Sequence, residues 1–174
     1  MTIIEDTGQK KGEHLNIAQY CEEHGVILRR QKLNVGDYII APKISVDTKQ
    51  GMGEVYGNLV QDHDRFRAEC IRAQEDGTTL YILIENEDGQ SCLDDVEHWQ
   101  NPRVDEYYSK YSFALAARKH GKQIKIPAPP VPNKRLARMM ETMSERYGVR
   151  WVFCRPDQTG EMIIRLLTGG EYSG

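Results

Sequence analysis

The most constraining stretch is Leu80-Tyr81-Ile82-Leu83-Ile84, closed by Glu85. A nearly all-apolar run of this length suits a strand covered on both faces, because successive strand residues point to opposite sides. A second run, Ile44-Ser45-Val46, precedes it, and the chain between the two reads as helix. Strand, helix, strand implies a crossover and a parallel pairing. The expected fold class is α/β, a central mixed β-sheet flanked by helices.

The rest of the chain fits around that unit. Ile3 to Glu5 reads as a short buried strand. Leu15, Ala18 and Cys21, flanked by Ile17 and Tyr20, suggest an amphipathic helix that Gly25 stops. Val26 to Arg30 is a further strand. After Asp62, placed to cap a helix, Phe66, Cys70 and Ala73 recur at i, i+4 and i+7 and face inward. Leu93 to Trp99 reads as a short helix. Tyr107, Tyr108, Tyr111, Phe113 and Leu115 mark an aromatic-rich helix with its rings expected in the core. Ile126 to Pro132 is an extended connector. Asn133 then caps a helix to Tyr147 that turns Leu136, Met139, Met140 and Met143 inward. Val149 to Phe153 is a strand, Thr159 to Leu167 a final helix, and Gly169 begins a tail.

At 174 residues the chain is expected to form one domain, 1–174. Its net charge of −3 places any nucleic-acid contact in local patches. The four cysteines, Cys21, Cys70, Cys92 and Cys154, show no zinc-ligand spacing. They read as reduced, mostly core thiols of a cytoplasmic protein. No apolar run reaches membrane-spanning length and Met1 to Asp6 is no signal peptide, so a membrane partner is not expected.

The chemistry concentrates in Val35 to Glu54. Asp37 opens a short β run, Tyr38 to Ile40; Pro42 and Lys43 turn the chain; Ile44 to Val46 returns it to Asp47-Thr48-Lys49. In a strand Asp47 and Lys49 project together with Thr48 turned away, and the hairpin brings Asp37 alongside. Two carboxylates offer hard oxygen ligands to Mg²⁺ or Mn²⁺, and a lysine beside them would position or help deprotonate an attacking water. The same residues would also serve as a turn aspartate and a solvated edge, and the pattern alone leaves both readings open. Gly51, Gly53 and Gly57 do not match a phosphate-binding loop spacing, and a tight strand-to-helix turn accounts for them. Arg65, Arg67 and Arg72 on the following helix form either a phosphate-contacting stripe or a solvated face.

Taken in order, Gly36-Asp37-Tyr38, Val46-Asp47-Thr48-Lys49, a helix bearing Arg65-Phe66-Arg67-Ala68-Glu69, and an apolar strand ending in Glu85 resemble the XPF-type branch of the PD-(D/E)xK nucleases. The resemblance covers Ile3 to Glu85 best and the segment 93–168 loosely. It implies a restriction-endonuclease-like fold and metal-dependent hydrolysis of DNA phosphodiesters. Asp37 and Asp47 would hold the metal, the Thr48 carbonyl would complete the set, and Lys49 would serve the water. The family's first strand ends in an Asp-Thr-Arg-Glu-like segment, which Asp6 matches and Gly8 and Gln9 do not. An additional family acid falls nearest Glu54, although its usual spacing lands on Gly53. The helix-hairpin-helix module common in that branch does not appear in this sequence, so junction preference is not carried over and a homodimer stays open. Two other readings remain: a nuclease fold that binds DNA without cutting, and an α/β protein binding nucleotide or phosphate through Gly51 to Gly57.

Overall fold

The computed structural model describes residues 1–10, 15–40, 43–87 and 89–169. The expected turn at Pro42, Asp88 of the loop after Glu85, and the tail beyond Gly169 lie outside the described residues. In chain order the elements are β1 (Thr2–Asp6), α1 (Leu15–Glu23), β2 (Ile27–Gln31), β3 (Tyr38–Ile39), β4 (Ile44–Lys49) and α2 (Met52–Tyr56). A π-helical turn (Gly57–Gln61), α3 (His63–Glu75), β5 (Thr79–Glu85), a 3₁₀ turn (Asp94–His98) and α4 (Pro102–Lys119) follow. The chain closes with α5 (Asn133–Tyr147), β6 (Arg150–Cys154), a 3₁₀ turn (Pro156–Gln158) and α6 (Thr159–Leu167).

The six strands form one mixed sheet in the order β2-β1-β3-β4-β5-β6. The β1–β2, β4–β5 and β5–β6 pairs are parallel, whereas β3 runs antiparallel to both neighbours. The apolar run of β5 is central because it serves two cores. Leu80, Ile82 and Ile84 pack with Phe66, Cys70, Leu136 and Met140 under α3 and α5. Leu83 packs on the other face with Ile3, Tyr38, Val46, Ile17, Ile163 and Leu166 under α1 and α6. Residue-by-residue alternation in a strand covered on both faces gives the continuous apolar pattern its cause. The register of β4 on β5 aligns Asp47 with Ile82 and Lys49 with Ile84. Asp47 and Lys49 therefore stand on the α3 face, a polar pair at the edge of an apolar layer.

Several expectations are corrected. Leu15 is 71% exposed, and α1 buries Ile17 and Cys21 instead. As the first helical residue, Leu15 lies where the stripe at i and i+4 from Ile17 does not extend. Asp62 occupies the N-cap of α3 without a side-chain capping bond. The Asn133 side chain donates to the Trp99 carbonyl, tying the 3₁₀ turn to α5 instead of capping the helix. The aromatic helix α4 buries only Ala114 and Ala117. Tyr108 and Phe113 are 61% and 67% exposed, so those rings are not core. Small residues are the ones that let α4 lie close.

Candidate active site

The site begins at the β3–β4 hairpin. Gly36 has φ +66°, and a Cβ there would lie 2.3 Å from Ser45 Oγ, so only glycine fits this approach. Ser45 Oγ donates to the Val35 carbonyl at 2.8 Å and pins the strand entry. Asp37 N donates to Val46 O at 2.8 Å, which sets Asp37 across from Asp47. Asp37 Oδ2 accepts from Thr48 N at 2.7 Å and Thr48 Oγ1 at 2.8 Å. Thr48 lies on the opposite face from Asp47 and Lys49, as expected, yet its amide and hydroxyl still reach Asp37 and hold that carboxylate.

Asp47 and Lys49 meet as the alternation requires. Lys49 Nζ lies 2.6 Å from Asp47 Oδ2 and 3.7 Å from Glu54 Oε1. The 2.6 Å contact is a buried ion pair, and Asp47 Oδ2 meets no further donor among the described residues. Glu54 Oε2 accepts from Gln50 N at 2.9 Å. This occupies an amide that a phosphate bound by the Gly51 turn would want. Gly51 itself has φ +121° and turns the chain into α2.

These groups line one open cavity of about 360 Å³, together with Asp6, Lys32, Asn58, Asp62, Arg65, Glu69 and Arg72. Asp6 does less at its centre than expected. Its carboxylate accepts from Leu33 N at 2.8 Å and Lys32 Nζ at 3.0 Å, closing the loop between β2 and β3. Burial would raise its pKa, but the bonds from Leu33 and Lys32 outweigh that and hold it below the ordinary range. Arg65 and Arg72 reach the cavity, whereas Arg67 does not line it and donates through Nε to Tyr147 Oη at 2.8 Å. Helical geometry explains the split. Arg65, Glu69 and Arg72 follow i, i+4, i+7, whereas Arg67 lies roughly 200° around from Arg65.

No family model matches the chain, and no curated protein matches it in sequence. Among solved structures, XPF from Aeropyrum pernix aligns over 96% of this chain and 63% of its own, with TM-score 0.60 and 17% identity. XPF from Aeropyrum pernix in complex with DNA aligns over 99% and 68%, with TM-score 0.59 and 16% identity. The chain has the fold of XPF. It spans 63% of the first of those chains, so the likeness concerns that portion alone.

In this XPF-like fold the cavity is electrostatically unusual. Burial pushes the Asp47 carboxyl well above its ordinary range; Lys49 opposes that shift, and the charges of Asp37 and Glu69 add to it. For Lys49, burial alone would lower the pKa. The Asp47 charge and contact outweigh burial, aided by Glu54 and Asp37, and the net shift is upward. Lys49 is therefore held as ammonium. Among the described residues no three Asp, Glu, His or Cys side chains close into a ready-made cation cage. A cation that keeps several waters needs only one or two carboxylates, however. Asp37, held by Thr48, and Asp47, paired with Lys49, face the same cavity and fit that requirement.

Glu69 is the residue the sequence reading passed over. Its Oε1 accepts from Gly36 N at 2.9 Å, directly before Asp37. It was visible only as one acid on a mixed-charge helix. The signal that distinguishes it is its place in the Arg65–Arg72 stripe.

Proposed function

We propose that this chain is a metal-dependent DNA endonuclease, with Mg²⁺ or Mn²⁺ held by Asp37 and Asp47. The observation that carries this reading is the buried Lys49–Asp47 pair, set across the hairpin from Asp37 on the face of an XPF-like sheet. The DNA complex of the structural neighbour supports DNA as the partner. The Thr48 carbonyl is the proposed third ligand.

The chemistry supplied by a bound divalent cation is a lowered water pKa and neutralised charge on the phosphate. The chain's own residues do the remainder. Thr48 fixes Asp37 through two donated bonds. Lys49, kept charged, orients the attacking water and faces the negative charge that develops at phosphorus; an ammonium held this way does not act as the base. Arg65 and Arg72 at the cavity wall would receive the flanking phosphates. Glu54 anchors the turn behind Lys49 rather than adding a certain ligand.

The test is cleavage of branched and plain duplex DNA with Mg²⁺, with Mn²⁺ and with chelator. Metal-dependent strand scission by the wild type, lost in Asp47→Ala, is the expected result. DNA binding without scission under every metal condition would replace this reading with that of a non-cutting nuclease fold. Binding should weaken with salt in proportion to the phosphates contacted.

A further inference from the structure

The longest carboxylate-free run of the chain lies away from the cavity. Between Glu106 and Glu141 stand eight of the 23 Lys and Arg residues and none of the 26 Asp and Glu. In a chain of net charge −3, that is a marked segregation of charge. The run covers most of α4, the proline-rich connector and the start of α5.

Two grooves on this run join. One is lined by Lys110, which pairs with Glu106, and by Phe113, Ile124, Pro127 and Lys125. The next shares Ile124 and Lys125 and adds Arg118 and Lys122. Phe113 is 67% exposed at the first. It stands apart from the other exposed apolar residues of α4. Val104, Tyr108 and Leu115 fall roughly 140–200° around the helix from it. Phe113 therefore belongs to no apolar stripe of the kind a membrane or a packed helix would cover. In the groove it stands beside Ile124 and Pro127, between Lys110 and Lys125.

The place of the groove matters. The segment formed by α2 and the π-helical turn presents Glu54 and Asn58 to the cavity. Its Tyr56 and Val60 line the side toward α4, with Arg103, Tyr107 and Lys110. Arg103 lies over the Tyr56 ring at 4.8 Å, and Tyr56 Oη accepts from Val131 N at 2.8 Å. The side of this segment away from the cavity shares Lys110 and Pro127 with the first groove, so the surface continues from one to the other.

The geometry points to this groove as a second nucleic-acid surface, one that takes an unpaired strand leaving the cavity. Cations spaced along a groove track a phosphodiester backbone, and an exposed phenyl ring stacks on any base. A duplex keeps its base faces stacked and offers such a ring nothing comparable. This inference rests on the reading of the cavity as a DNA site.

Fluorescence anisotropy without divalent metal tests it, using a labelled oligothymidine of roughly 16 nucleotides and a blunt duplex of equal length. Phe113→Ala should weaken strand binding about tenfold and leave duplex binding within about twofold. The double change Lys122→Glu, Lys125→Glu should weaken strand binding and flatten its salt dependence. All three side chains are exposed, so folding is spared. Unchanged strand affinity in both variants overturns the inference. So does binding to vesicles containing phosphatidylserine in place of the oligonucleotide. Duplex binding that falls with Arg72→Ala, with no strand binding, overturns it while leaving the cavity reading standing. Failure to bind either DNA overturns both.

Discussion

Lys49 is the residue on which the chemistry turns. It is buried, paired at 2.6 Å with Asp47, and held charged. A fixed charge aimed at negative charge developing in a water-poor site is worth roughly 2.7–4 kcal/mol, about 10²–10³ in rate. Lys49→Ala should therefore slow single-turnover cleavage by that factor while DNA binding stays near wild type. Lys49→Arg should restore little, since a guanidinium is bulkier than an ammonium and spreads its charge over a planar fork. Wild-type single-turnover rates in Lys49→Ala would remove the role. Asp6 makes a different forecast, because its bonds are structural. Its folded-state pKa is depressed, so the stability it contributes is present above the ordinary carboxylate range and is lost as pH falls through the folded value. Lys32 is largely exposed, so the bond from Leu33 N dominates. Asp6→Asn should cost about 1 kcal/mol at neutral pH, and the deficit should shrink as the pH drops below the carboxylate range. Urea unfolding across a pH series measures it, and a deficit constant down to acid pH would refute the charge account.

At the scale of elements, the β3–β4 hairpin sets the distance between the two carboxylates proposed to hold the metal. Gly36→Ala forces a side chain into φ +66° and against Ser45 Oγ. The backbone strain alone should cost about 1–3 kcal/mol. Ser45→Ala in the same chain should return only part of this, because it relieves the contact and not the φ; full restoration in thermal unfolding would show that φ was never strained. The hairpin was legible because Gly36-Asp37 and Asp47-x-Lys49 combine turn chemistry with the two-residue strand period. The crossover was legible because β5 must be apolar on both faces. The helices yielded less. Phe66, Cys70 and Ala73 face the core as their spacing demands, and Thr159–Leu167 is a helix as read. The rings of α4 are exposed, however, because aromatic content reports hydrophobicity and not which face finds a partner. Glu69 was hidden for a related reason: a carboxylate between arginines reads as a solvated face until the β3 entry, distant in sequence, is known to approach it. Arg67 shows the converse, since adjacency to Arg65 in sequence put it on the wrong side of the helix.

For the whole molecule, the proposed metal site would couple metal binding to folding. Asp6, Asp37, Asp47, Glu54, Asp62 and Glu69 face it, against Lys32, Lys49, Arg65 and Arg72. Burial raises the Asp47 pKa above its unfolded value, so its contribution to stability is full below the ordinary carboxylate range and is lost as pH rises through the raised value. The metal-free protein should accordingly lose stability over that rise in pH, and Asp47→Asn, with no charge to bury, should not. At neutral pH without metal, Asp47→Asn removes a buried carboxylate but leaves the buried Lys49 ammonium without its 2.6 Å partner, so the two effects oppose and the two proteins should unfold at similar temperatures. Adding Mg²⁺ or Mn²⁺ separates them. A cation bound only by the folded state at one hundred times its dissociation constant stabilises by about 2.7 kcal/mol. Wild type should gain that increment as the metal is titrated, and Asp47→Asn should gain little because a ligand is gone. Thermal unfolding of both proteins, with chelator and across a metal series, reads the separation of the two stabilities. Parallel gains in the two proteins would place the cation away from Asp47, whatever the cleavage assay then showed.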